Sequence, residues 1–147
     1  MARRRLGDVL RERSQITAEV LDQVVSEQAK TTMLLGELLL LRNLVKKEEL
    51  IEALQEVTHF RYLDPRTVGI DETLLELLPY ASASKYCAIP VTRQGADLVV
   101  VMAEPQNFRF IEELQFKTGL KIEPRLGLQG EIVASMAQEM LLRRTTD

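Results

Sequence analysis

RLGDVLRERSQITAEVLDQVVSEQ, residues 5–28, returns 29 positions later as LLGELLLLRNLVKKEELIEALQEV, residues 34–57. Aligned without gaps, the two stretches share seven identities in 24 positions: Leu6/Leu35, Gly7/Gly36, Leu10/Leu39, Arg13/Arg42, Glu19/Glu48, Leu21/Leu50 and Glu27/Glu56. Val9/Leu38, Ile16/Val45, Val25/Leu54 and Asp8/Glu37 are conservative. Similarity at a fixed spacing marks a duplicated structural unit. Each copy reads as a short helix, a turn and a longer helix. Leu35, Leu38, Leu39 and Arg42 are spaced for one helical face, as are Leu50, Ala53, Leu54 and Val57. The turn holds Asn43 in the second copy and Ser14-Gln15 in the first. Thr17 is placed to cap the longer helix of the first copy, its hydroxyl accepting from a first-turn amide. Gly7 and Gly36 mark positions where no side chain fits or where something approaches the backbone closely.

Beyond the repeats the pattern changes. Residues 59–69, HFRYLDPRTVG, read as a connector, and Asp71 to Leu78 as a short helix stopped by Pro79. Cys87 to Thr92 and Leu98 to Met102 are Val/Ile-rich runs separated by Arg93-Gln94-Gly95-Ala96-Asp97, a hairpin signal. Phe108 to Thr118 is an amphipathic helix with Asn107 as cap and Gly119 as stop. Lys121 to Leu126 is a third strand. Glu131 to Arg144 is a C-terminal helix with Ile132, Val133, Met136, Met140 and Leu141 on its apolar side. Leu98–Met102, the helix and Lys121–Leu126 make a strand–helix–strand unit. The fold class is therefore α+β: a helical tandem repeat of two helix–turn–helix units packed with a small α/β subdomain containing a roughly three-stranded sheet. The expected divisions are 1–60 for the repeats, 61–82 for a connector and short helix, and 83–147 for the α/β part.

The 147 residues, 46% hydrophobic and 28% charged, suit a globular protein with a real core. A net charge of −3 speaks against a general nucleic-acid binder, whose footprint is basic. One cysteine allows no internal disulfide and points to a reducing cytoplasm. No stretch reaches the length of a membrane span, and the basic start lacks the apolar core of a secretory signal.

The repeats and the order of the second half carry a resemblance. Arg5-Leu6-Gly7 through Gln28 is similar to the 24-residue motif of the cyclic di-GMP-binding branch of type II secretion and type IV pilus assembly ATPases, in their N-terminal domain. Tyr86-Cys87-Ala88-Ile89-Pro90-Val91, then residues 98–105, LVVVMAEP, then residues 113–119, ELQFKTG, and Ile122-Glu123-Pro124 follow the same family's order. The resemblance implies a half-site for cyclic di-GMP in each copy. The first consists of Arg5, Leu6, Gly7, Leu10, Ile16, Leu21 and Gln28. The second consists of Leu35, Gly36, Leu39, Leu40, Leu44, Val45, Leu50 and Leu54. The first copy departs from the motif at Arg11 and Gln15, where apolar residues are usual, and at Ser14, where glycine is usual. The second has Leu34 for the leading Arg and Val57 for the closing Gln. No cofactor is implied beyond that ligand. The implied partner is a protein, either a component of the secretion or pilus assembly platform or a motor ATPase, reached from the cytoplasm. Neither a nucleic-acid polymer nor direct membrane insertion is implied.

No catalytic constellation emerges from the residues. Gly-x-x-x-x-Gly-Lys-Ser/Thr is absent, so the expectation is a non-enzyme, either stand-alone or part of a longer protein. His59 and Cys87 are too few for a zinc site, so no metal is expected. Cys87 opening an apolar strand reads as an inert core thiol. The carboxylate pairs Asp71-Glu72 and Glu112-Glu113 read as helix-start or solvated-face residues. Arg3 and Arg4 are a solvated terminus or a phosphate hold. Of Leu39-Leu40-Leu41 one faces outward, and an exposed apolar patch marks a partner site. Arg125-Leu126-Gly127 repeats the motif's opening letters without its periodic run.

Overall fold

The computed structural model describes residues 5–146 except 14, 32 and 69–71, with side chains as far as Gln138 apart from Glu72. Expectations for Arg3, Arg4, Ser14, Asp71 and the side chains of Glu72, Met140 and Leu141 lie outside the described residues. The chain forms two compact units, Met1–His59 and Phe60–Asp147.

The first unit is the duplication made physical. Helices α1 (Leu6–Glu12) and α2 (Ala18–Gln28) form one helix–turn–helix, α3 (Leu35–Leu41) and α4 (Lys47–Thr58) the other. Two backbone bonds of the turns coincide. Arg13 N donates to Val9 O and Arg42 N to Leu38 O, both at 3.1 Å; Gln15 N donates to Leu10 O and Leu44 N to Leu39 O, both at 3.0 Å. Asn43 sits in the left-handed region at φ 56°, so glycine suits this turn position in the motif. Thr17 caps α2, its hydroxyl accepting from Val20 N at 3.3 Å, and Asp8 Oδ2 accepts from Arg5 N at 3.2 Å. Val9, Leu10, Leu38, Leu39, Leu50 and Ala53 fill the core.

The second unit is built on a three-stranded sheet in the order β1 (Ala88–Gln94), β2 (Asp97–Met102), β3 (Lys121–Leu126). β1 and β2 are antiparallel across the expected turn at Gly95, whose φ is +61°. β2 and β3 run parallel, joined through α6 (Phe108–Thr118), which has the expected bounds. Asn107 Oδ1 accepts from Phe110 N, and Gly119 takes φ +70° as the stop. Central β2 is buried from Leu98 to Met102, as a strand covered on both faces must be. Along the outer edge of β3 the amide donors are used or missing. Ile122 N donates to Gln115 Oε1, Pro124 has no N–H, and Leu126 N donates to Arg61 O. Helix α7 (Gln129–Thr146) begins two residues earlier than the sequence indicates.

The 59–82 region differs from its reading. Tyr62 makes a parallel bridge with Leu126, and Leu63 N donates to Leu126 O, so this stretch extends the sheet instead of merely connecting. Residues Pro65–Thr67 and Glu72–Leu77 form 3₁₀ helices, the second within the stretch read as a short helix. Leu74 and Leu78 from this region enter the core, so packing and not periodicity sets their conformation. Helix α5 (Tyr80–Tyr86) was not foreseen, since its residues YASASKY carry no apolar stripe. Cys87 consequently does not open a strand. It ends α5 at φ 49°, half-buried, and β1 starts at Ala88.

Gly127 has a packing reason of its own. A Cβ there meets Val101 Cγ1 at 2.4 Å and Ile132 Cδ1 at 2.8 Å. Its place after Arg125-Leu126 thus owes nothing to the repeat motif. Gly127→Ala is expected to destabilise the second unit by about 1–3 kcal/mol through overpacking, read from chemical denaturation followed by circular dichroism.

Candidate functional site

The two copies meet through the residues they share. Arg13 of the first donates to Glu56 of the second at 2.7 Å and lies 3.4 Å from Glu52. Arg42 of the second pairs with Glu27 of the first at 2.5 Å. Arg13/Arg42 and Glu27/Glu56 are aligned identities of the duplication, so the pairing is reciprocal, as in a two-fold contact between like subunits. These side chains are roughly one-third to one-half exposed, which holds each pair to about 0–1 kcal/mol. Their contribution is register more than stability.

Both glycines face leucine. A Cβ on Gly7 meets Leu21 Cδ2 at 2.9 Å, and one on Gly36 meets Leu50 Cδ1 at 3.2 Å and Leu6 Cδ2 at 3.6 Å. Each glycine thus lets the leucine of the longer helix approach the shorter helix closely. The expected ligand residues separate into groups. Leu10, Leu39 and Leu50 are fully buried, and Ile16, Leu21 and Val45 nearly so. Arg5 is exposed; Leu6, Gln28, Leu35 and Leu54 are half-buried. Leu40, Leu44 and Val45 come together in an open depression at the α3–α4 turn, with Asn43, Lys46–Glu49 and, from the first copy, Gln15. Gln15 Oε1 is buried there without a hydrogen-bond partner among the described residues.

Of the run Leu39-Leu40-Leu41 one faces outward, as expected: Leu39 is buried, Leu40 half-buried and Leu41 66% exposed. The aligned positions of the first copy carry Arg11, Glu12 and, opposite Leu44, Gln15. One scaffold thus presents a polar surface in one copy and an apolar one in the other.

Sequence reading missed an ionisable cluster in the second unit. Tyr62 Oη donates to Glu131 Oε1, and Arg66 bridges Glu131 Oε2 at 2.7 Å and Asp64 Oδ2 at 2.8 Å. No local signal reveals it, because Tyr62 and Glu131 are far apart in the chain. It fastens residues 62–66 to the first turn of α7. Burial, then the Glu131 carboxylate, push the Tyr62 phenol well above its ordinary value near 10. No group of His, Cys, Asp and Glu suited to a metal occurs among the described residues, and none of their helices is long and apolar enough to cross a membrane. Glu112 and Glu113 are exposed on α6, in keeping with a solvated face.

Known proteins match this architecture. The family model described as the MshEN domain matches residues 58–138. The type IV pilus assembly ATPase PilB of Myxococcus xanthus is 27% identical over 119 residues, covering 81% of this chain and 21% of the relative. PilB of Thermus thermophilus is 32% identical over 112 residues, covering 75% of this chain and 12% of the relative. The chain thus spans about a fifth or less of these relatives. The structure of MshE with cdg has the same fold, with a TM-score of 0.71 at 23% identity, covering 93% of this chain and 99% of that one.

The Tyr62 cluster has a pH signature. A phenol whose proton is held more tightly in the folded state supports folding fully below its unfolded value near 10 and loses that support as pH rises beyond it. Ultraviolet titration of the folded chain is expected to show a tyrosinate phase well above pH 10, absent from Tyr62→Phe. Coincident titration curves for the two proteins contradict the geometry.

Proposed function

The chain belongs to the MshEN domain family, and from that premise we propose that it is a non-catalytic regulatory and docking domain acting through protein–protein contact. Its setting is the type II secretion or type IV pilus assembly machinery, and its partner is a platform component or a motor ATPase on the cytoplasmic side. One observation carries this reading. Two copies of one helix–turn–helix share core, turns and ion pairs, yet only the second shows Leu40, Leu41 and Leu44 where the first has Arg11, Glu12 and Gln15. The first copy forms the same helices with polar residues there, so folding does not require the leucines at the surface. An apolar surface that the fold does not need is one that a partner covers.

Binding to the cytoplasmic domain of a platform protein from the same organism tests this directly, by calorimetry. Leu41→Glu is expected to weaken binding at least about tenfold, a loss of about 1.4 kcal/mol. Glu12→Ala, at the aligned position, is expected to stay within about twofold. Equal affinities for Leu41→Glu and the parent chain contradict the patch.

A cyclic di-GMP sensor is the second reading. It is supported by the likeness to MshE with cdg and by the unpartnered Gln15 Oε1, which an N–H donor on a ligand satisfies. Against it stand Leu34 and Val57, which cannot supply the hydrogen bonds of Arg and Gln. A hydrogen bond to a charged group is worth about 1.5–3 kcal/mol, so each loss weakens binding roughly tenfold or more. Titration of the chain with cyclic di-GMP is therefore expected to give a dissociation constant weaker than about 1 µM. Submicromolar binding abolished by Arg5→Ala favours sensing over docking.

A further inference from the structure

We propose that the cleft between α5 and the start of α6 binds a small phosphate monoester. The cleft holds about 440 Å³ and is lined by Lys85 and Tyr86 of α5 and by Asn107, Arg109, Phe110 and Glu113. That volume suits a small organic molecule, since such sites span roughly 300–1,000 Å³, and it exceeds what a free anion fills. The apolar side of the cleft is a ring stack: Tyr86 lies on Phe110 with centroids 4.3 Å apart and 21° between the planes. Phe110 belongs to the core, so the stack fixes α5 against α6 and holds the two sides of the cleft in one relation.

Lys85, Arg109 and the Asn107 amide bring hydrogen-bond donors to the cleft from two segments. Asn107 Oδ1 accepts from Phe110 N at 3.2 Å, which leaves its Nδ2 to donate. Neither cation forms an ion pair among the described residues, and Lys85 Nζ lies 5.2 Å from the Tyr86 ring centroid. Glu113 stands one turn from Arg109, the spacing at which opposite charges pair. The two nevertheless stay apart while lining the same cleft. Arg109 also sits in the first turn of α6, where the helix dipole disfavours a cation. Folding gains nothing from its charge there, whereas an anion between Arg109 and Lys85 is attracted by both cations and by the dipole. A phosphate monoester presents three free oxygens and close to two negative charges near pH 7, which match two cations and an amide. A carboxylate presents two oxygens and one charge. Glu113 only accepts, so it selects a ligand with a hydroxyl beside the phosphate. The site lies in the second unit and rests on neither the docking patch nor the half-sites of the first.

Titration of the full chain with glycerol 3-phosphate at constant ionic strength, followed by NMR of the backbone amides, tests the site. Saturable shifts are expected at residues 85–86 and 107–113, with a dissociation constant below about 1 mM. Inorganic phosphate, which lacks the hydroxyl, is expected to bind at least about threefold more weakly. Glycerate, with a carboxylate in place of the phosphate, is expected to bind at least about fivefold more weakly. Lys85→Gln and Arg109→Gln should each raise the dissociation constant about tenfold or more with an unchanged circular dichroism spectrum, because each removes a charge-assisted bond from an exposed position. Glu113→Gln should tighten inorganic phosphate about threefold by removing a like charge. Absence of saturable shifts up to about 10 mM overturns the proposal. So does affinity indifferent to both Lys85→Gln and Arg109→Gln, or glycerate or inorganic phosphate binding as tightly as glycerol 3-phosphate.

Discussion

The first unit depends on a contact made twice: a leucine of the longer helix pressed against a glycine of the shorter one. Leu21 on Gly7 and Leu50 on Gly36 leave no comfortable room for a Cβ, so each helix pair closes to near contact. That closeness seals Leu10, Leu39 and Leu50 from water. Fully burying a leucine contributes about 1.5–3 kcal/mol, well above what a half-exposed ion pair supplies. The apolar contact therefore holds each copy together. The reciprocal Arg13–Glu56 and Arg42–Glu27 pairs set how the copies face each other. Neither arrangement favours one copy over the other, which is what a duplication followed by mutual packing produces.

The second unit rests on a different constraint, a central strand buried on both faces. β2 can be that strand only if both neighbours satisfy its backbone. β1 does so across a tight turn and β3 after a helical crossover. Gly127 then lets the chain leave β3 against Val101 and Ile132. The Tyr62–Glu131–Arg66 cluster fastens the segment that extends the sheet at Leu126. Polar contacts here serve attachment, and burial serves cohesion.

The two copies keep their symmetry in some places and lose it in others. Core, turn bonds and inter-copy pairs are kept. The surface at Leu40, Leu41 and Leu44 is not. Of these positions Leu41 is exposed and Leu40 and Leu44 are half-buried, so the copies differ at their margin while their helices stay the same.

Much of this was present in the chain itself. The duplication shows as identity at a fixed spacing, and the caps at Thr17 and Asn107, the stop at Gly119, the Gly95 turn and the bounds of α6 and β3 depend on neighbours within a few residues. Periodicity and turn chemistry carry that information. Partnerships across the chain are not local. The shared arginines and glutamates were visible as identities, but only the packed repeats pair each with the opposite copy. That one of three consecutive leucines faces water followed from helical spacing; that it is Leu41 depended on where the helix met its neighbours. The 3₁₀ helix at Glu72–Leu77 and the helix at Tyr80–Tyr86 carry weak local patterns, so the core they flank decided their form. Cys87 took its left-handed turn for the same reason: α5 had to end before β1 could join the sheet.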